Sequence, residues 1–284
     1  MANPPSGPSF DWKMYRYTPS LAAAILFLTL FTILTVLHVY SYTRSRRTSI
    51  IYIILGGLCE IAGFGARIGS HFDNAAWAPF IIQGTLLLVG PLFFAATVYT
   101  MLGRTVQCAG AEKLSRVRPR WYTRVFVTAD VSTLIVQGLG ASLMGTMQLG
   151  LALAGEKVVV AGLALQVTTF IVFLAAAGDF HTRMIRLERA GQGPADQAWK
   201  GKLHILYALS SLILFRCVFR LIEYAMGNAA YLIAHEWALY VFDGVPMLAV
   251  LVVLFMWQPK EGHATQKSEG EESSDGELGV VRSH

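Results

Sequence analysis

A chain of 284 residues of which 54% are hydrophobic and only 14% charged is poorly suited to water, because soluble domains carry about 25% charged residues. Mean hydropathy is +0.49. The formal charge of +5 would suit nucleic acid, but the basic residues stand between apolar runs, as in membrane proteins, so nucleic acid is not an expected partner.

A bilayer-crossing helix needs about 20 apolar residues, and seven stretches qualify. The predicted spans are 20–42, 49–69, 78–102, 125–148, 158–179, 203–226 and 235–257. Their apolar runs are continuous, unlike the alternating segments of a barrel strand. The expected fold is all-α, a polytopic seven-transmembrane-helix bundle over 20–257. A polar segment at 1–19 precedes it and a disordered tail at 258–284 follows.

Met1–Pro19 is polar and Pro-rich, and the first apolar run is too long for the core of a cleavable signal peptide. The second span carries Glu60 and Arg67, together with Gly65-x-x-x-Gly69, a spacing that permits close helix contact. The third carries Gln83 and Pro91, the fourth Asp130 and Gln137. The sixth carries Arg216, Arg220 and Glu223, and the seventh Glu236, Asp243 and Pro246. Cys59 and Cys217 fall in spans and Cys108 in a loop, so no structural disulfide is implied. The Glu- and Ser-rich tail cannot bury a core.

Orientation follows from loop charge. Fourteen Lys and Arg residues lie in the loops around Arg44–Arg47, Arg104–Arg124 and Arg183–Lys202, and the tail adds three. The opposite side has only Lys13, Arg16 and Lys157. The basic side is expected to be cytoplasmic, and an odd number of spans puts the N-terminus outside and the C-terminus inside. Tryptophan agrees: Trp12, Trp77 and Trp237 fall at outer ends, Trp121, Trp199 and Trp257 at or near inner ones, where indole prefers the headgroup zone.

Eight ionisable residues sit at membrane depth: Glu60, Arg67, Asp130, Arg216, Arg220, Glu223, Glu236 and Asp243. Each costs about 2.5–3.5 kcal/mol near the centre of a bilayer unless it faces protein or water. Glu60 and Arg67, Asp130 and Gln137, and Glu236 and Asp243 are each seven apart, two turns along one helix face. Arg216, Arg220 and Glu223 share a face by the i, i+4, i+7 rule. Four such stripes turned inward predict a polar spine, with a cavity opening outward and its floor near Glu60. Arg–carboxylate pairs could instead simply hold helices together. Five acids against three arginines leave two acids without a basic partner, and each must be protonated, solvated or held for a cationic ligand. Glu60 or Asp130, which sit deepest or most alone, is the expected site of a carboxyl that holds its proton more tightly than usual.

Pro91 and Pro246 interrupt helix hydrogen bonding and free the carbonyls four residues earlier, at Leu87 and Phe242. Either kink could be a gate hinge or static. No His-x-x-x-His, Cys-x-x-Cys or phosphate-loop spacing occurs. No metal or cofactor is therefore expected, and ATP-driven pumping by this chain alone is disfavoured. No Lys lies in a span, which removes a retinal Schiff base.

Several short motifs in order carry a family resemblance. They are Glu60-Ile61-Ala62-Gly63-Phe64-Gly65-Ala66-Arg67, Gln83, Pro91 with Ala95-Ala96 and Tyr99, and Asp130 with Gln137-Gly138. Gly162 with Gln166, Arg216-x-x-x-Arg220-x-x-Glu223 and Glu236-x-x-x-Tyr240-x-x-Asp243 complete them. Over about residues 17–258 the chain resembles the fungal RTA-like (resistance to aminocholesterol) family of lipid-translocating exporters, which includes a sphingoid long-chain-base exporter. Phe64 stands where that family often has Tyr, and Gln258-Pro259 where it often has His-Pro. The resemblance implies a multi-pass protein, expected in the plasma membrane, that moves lipids or amphiphiles and protects against toxic lipids or drugs.

The expected function is transport of a cationic or zwitterionic amphiphile, with membrane lipids and that small molecule as partners and no enzymatic activity. Glu60 would be the midplane carboxylate, Asp130 the receiver on the cytoplasmic side, and Arg67, Arg220 and Glu223 the outer gate. The alternatives are a seven-helix lipid receptor and an intramembrane lipid-modifying enzyme. Short outer loops argue against the first. The second lacks a visible nucleophile–base pair or metal set. Oligomeric state is not legible.

Overall fold

The computed structural model describes residues 20–45, 48–72, 77–108, 119–144, 149–191, 198–226 and 235–257. The expectations for 1–19, for the tail at 258–284 and for the intervening loops lie outside these residues. Within them the protein is all-helical: α1 Leu21–Ser45, α2 Thr48–Phe72, α3 Trp77–Cys108, α4 Pro119–Met144, α5 Leu149–Arg189 and α6 Ala198–Ala225, then α7 Glu236–Trp257. All seven are long and apolar enough to cross a bilayer, which makes this an integral membrane protein.

The seven helices match the predicted spans, but several ends moved. α5 begins before the charged pair Glu156-Lys157, which read as a loop, and runs on to Arg189. Its 41 residues reach about 60 Å, twice the ~30 Å of bilayer hydrocarbon. Hydropathy marks only the part that needs lipid; a helix continues into water wherever its own hydrogen bonds and neighbours carry it. Lys200 of α6 and Glu188 of α5 join at 2.7 Å beyond the apolar stretch. Likewise α3 extends to Cys108, so that cysteine ends a helix and does not sit in a loop. α4 starts on Pro119, where a missing N–H costs nothing because the first turn has no intrahelical acceptor.

Successive helices pack in order. α3 also crosses the bundle to touch α6, and it has the most buried apolar stretch of the seven. α7 returns to α1: His38 Nε2 lies 3.1 Å from the Leu251 carbonyl, and Phe27 stacks near Tyr240 with ring centroids 5.0 Å apart. The outward faces stay apolar, with Leu26, Val36, Ile135 and Leu139 more than half exposed. That is a surface made for acyl chains. Trp121 and Trp237 are exposed as expected of interfacial indoles, whereas Trp199 is buried and meets His181 edge-on at 5.9 Å.

Small residues set the closest approaches. A Cβ on Gly155 would lie 2.5 Å from the Gly140 carbonyl oxygen, and one on Gly140 2.8 Å from that of Gly155. α4 and α5 therefore meet backbone to backbone. Gly65 and Gly69 have ordinary 3.8 Å neighbours inside the chain, Leu28 and Pro79. Their spacing serves the contacts of α2 with α1 and α3.

The two internal prolines behave differently. Pro91 sits inside a continuous α3. Before Pro246, α7 widens into a π-turn over Tyr240–Gly244, where the Val245 N–H bonds the Tyr240 carbonyl five residues back. Such one-turn bulges accommodate a residue that cannot donate, and they recur at functional sites.

Candidate functional site

The inward-facing stripes are real. Glu60, Arg67, Gln83, Asp130, Gln137, Arg216, Arg220, Glu223 and Asp243 are all buried, and Glu236 keeps about a fifth of its side chain exposed. On helices whose outer faces are apolar, this burial is what a charge in a membrane requires.

At the end of the bundle that carries Ser20, Glu236 gathers three partners. Arg67 Nη2 pairs with its Oε1 at 2.9 Å. The Tyr240 hydroxyl donates to the same oxygen at 3.0 Å while accepting from Arg67 Nε at 3.0 Å. The Ser20 N–H at the start of α1 lies 2.8 Å from both carboxylate oxygens. Four turns of chain, from α1, α2 and α7, are thus tied at one point. Tyr240 is reached because it lies one turn from Glu236, with Phe64 stacked against its ring at 6.1 Å. Phe64 also stacks on Phe27 and Phe31. The hydroxyl-free ring at position 64 therefore completes an apolar aromatic stack.

One layer deeper, α6 supplies two arginines. Arg220 donates to Glu223 Oε2 at 2.7 Å and lies 5.5 Å from the centre of the Tyr224 ring. Arg216 Nε approaches Asp243 Oδ1 at 2.7 Å, both side chains almost fully buried. These two atoms are close enough for an ion pair but misaligned for a hydrogen bond. Arg216 Nη2 instead donates to the Leu87 carbonyl. That is the acceptor which Pro91 leaves without its helical N–H, so the proline break in α3 is closed by a guanidinium from α6. Asp243 itself sits in the π-turn.

Glu60 projects from α2 into this layer. The charges acting on it are Asp243, Arg216 and Arg220, yet its Oε1 has no hydrogen-bond partner among the described residues. Gly90 makes the space. A Cβ there would stand 2.8 Å from Glu60 Oε1 and 3.3 Å from its Cδ.

Toward the other end, Asp130 of α4 receives the Tyr99 hydroxyl on Oδ2 at 2.7 Å, and its Oδ1 has no partner among the described residues. Phe126, Phe170 and Phe173 pack around Tyr99. The thiol of Cys217, next to Arg216 in the chain, is buried.

The charge count read from sequence therefore has a definite geometry. Three arginines take three acids, Glu236, Asp243 and Glu223, and among the described residues Glu60 and Asp130 have no arginine ion pair. Gln137 is not brought into the acid cluster. Its amide donates to Gln166 Oε1 at 2.9 Å across α4 and α5, and its Cγ fills the space beside Gly162. Tyr240, Tyr99, Tyr224 and Gly90 belong to the site but were not singled out as site residues. The i, i+4 spacings of Glu236 with Tyr240 and of Arg220 with Tyr224 could have signalled two of them; Tyr99 and Gly90 depend on α3 packing against Asp130 of α4 and Glu60 of α2.

A family model described as RTA1-like protein matches residues 53–267. The chain belongs to the RTA1-like family. Three relatives from Saccharomyces cerevisiae illustrate it. Protein RTA1 is 33% identical, over 86% of this chain and 84% of its own. Protoporphyrin uptake protein 1 is 30% identical, over 84% and 89%. The sphingoid long-chain base transporter RSB1 is 26% identical, over 85% and 72%. No solved structure matches. The match covers all of the charged layer described above, from Glu60 to Asp243.

Proposed function

We propose that this RTA1-like protein transports an amphiphile with a cationic or zwitterionic headgroup, of the sphingoid-base kind, toward the outer leaflet of the plasma membrane, and so protects against toxic lipids or drugs. The observation that carries this reading is Glu60: a buried carboxyl in mid-bundle whose Oε1 lacks a hydrogen-bond partner among the described residues, while the two arginines acting on it are ion-paired with other acids. A cationic headgroup would supply what that carboxylate lacks, and the acyl tail would stay against the apolar outer faces. One relative is named for base transport and another for protoporphyrin uptake. Acid excess in the spine favours a positive headgroup here over a porphyrin's carboxylates.

In this reading the basic loop side is cytoplasmic, by the positive-inside rule. The headgroup enters near Asp130, passes Glu60 and leaves past the Arg67–Glu236–Tyr240 tie. Asp130, Glu60, Arg67, Gln83, Arg216, Arg220, Glu223, Glu236 and Asp243 line the route, and the breaks at Pro91 and Pro246 let α3 and α7 move. The test is flux of a labelled long-chain base into vesicles holding the purified chain. Glu60→Gln should lose transport; unchanged flux would remove Glu60 from the route.

A further inference from the structure

We propose that transport is an exchange, one proton leaving Glu60 for each cationic headgroup that binds there. The inference rests on the reading above that the cargo is a cation. It concerns what drives the cycle.

The argument begins with donors. An ionised carboxylate has room for about four hydrogen bonds, and in a low-dielectric interior it needs most of them. Glu60 Oε1 receives none from the described residues. The two arginines within electrostatic reach are each ion-paired with another acid. Arg216 pairs its charge with Asp243 and donates Nη2 to the Leu87 carbonyl. Arg220 holds Glu223. The remaining facing charge is Asp243, of the same sign as an ionised Glu60. From α3 the carboxyl is met by Gly90, and on its own helix the adjoining titratable group is Cys59, half-buried. Among the described residues, both cations acting on Glu60 are paired with other acids.

Charge bookkeeping gives the stoichiometry. The cluster of Arg67, Arg216, Arg220, Glu223, Glu236 and Asp243 is neutral as three pairs. Adding Glu60 keeps it neutral only if that carboxyl carries a proton or a bound cation. The two states are then R–N⁺ outside with Glu60–COOH, and Glu60–COO⁻···⁺N–R with H⁺ released to water. Each side of this exchange has the same charge, so the membrane interior never holds an unpaired ion. A transporter built this way responds to a pH gradient and is indifferent to voltage.

The experiment uses the full chain in sealed vesicles and a fluorescent long-chain trimethylammonium amphiphile. That probe has a fixed charge and no proton of its own, so it cannot follow a pH gradient without the protein. With the lumen two pH units more acidic than the bath, one-for-one exchange drives the inner-to-outer probe ratio toward about 100-fold. An imposed potential with no pH difference should leave the ratio near one. A probe that follows the potential and ignores pH preserves the transport reading and overturns exchange. A probe that moves under neither gradient overturns both. Glu60→Gln should abolish the response to pH, and a variant that keeps it moves the exchange off Glu60 and overturns the proposal. Should that variant not fold, binding to the wild-type chain decides. The probe's apparent Kd should rise about tenfold per unit fall in pH wherever the free carboxyl is protonated, and a Kd independent of pH refutes the exchange.

Discussion

Removing Asp243 and Glu60 singly and together separates a paired acid from an unpaired one. Arg216 and Asp243 are 2.7 Å apart with only 3% and 2% of their side chains exposed. Orphaning one partner of such a pair costs about 3–5 kcal/mol. Asp243→Asn should cost less than that, because Glu60 lies within electrostatic reach of Arg216 and can ionise to take the place of the lost carboxylate. Glu60→Gln alone orphans no arginine and should cost about 1 kcal/mol or less, the scale of an ordinary buried substitution. The double variant removes both candidates for Arg216 and should show the full 3–5 kcal/mol, more than the sum of the singles. At about 2–4 °C per kcal/mol for a chain of this size, the double should unfold roughly 6–20 °C earlier. The assay is thermal unfolding in detergent, followed by reaction of a thiol dye with the buried Cys217. If Glu60→Gln alone falls as far as the double variant, Glu60 is a paired structural acid and the reasoning about its idle carboxyl fails.

Tyr240→Phe removes the hydroxyl between Arg67 and Glu236 and should cost about 1.5–3 kcal/mol, as expected of hydrogen bonds to charged groups, measured in the same melt. Pro91→Ala restores an N–H that can bond the Leu87 carbonyl and compete with Arg216; unfolding temperature should hold or rise while probe flux falls. Gly90→Ala would put a Cβ 2.8 Å from Glu60 Oε1; it should displace the carboxyl and weaken trimethylammonium-probe binding, read by titration. Gly155→Ala sets a methyl against the Gly140 carbonyl at 2.5 Å, where backbone cannot yield, and should cost about 1–3 kcal/mol by overpacking in the unfolding assay.

How far the site was legible depended on range along the chain. Glu60 and Arg67, or Arg216, Arg220 and Glu223, lie on single helices, so helical spacing alone placed them on inward stripes, and all five are buried. Pro91 predicted a free carbonyl at Leu87 because that consequence is local. What would occupy that carbonyl was not local: Arg216 is 129 residues away, and only the α3–α6 crossing joins them. Gln137 shows the opposite failure. It shares a face with Asp130 by spacing, yet α5 covers its end of that face and engages it through Gln166. Two turns separate the pair along α4, far enough for one stripe to meet two different neighbours.

Length of apolar run, loop charge and charge count are sums over the chain, and they needed no fold to be read. They gave seven helices, an interior with five acids for three arginines, and the arithmetic that two acids go unpaired. Which two depended on packing. Electrostatic pairing is decided over a few ångströms, and those distances exist only after α2, α6 and α7 converge, after Gly90 clears the space beside one carboxyl, and after the π-turn carries Asp243 to Arg216.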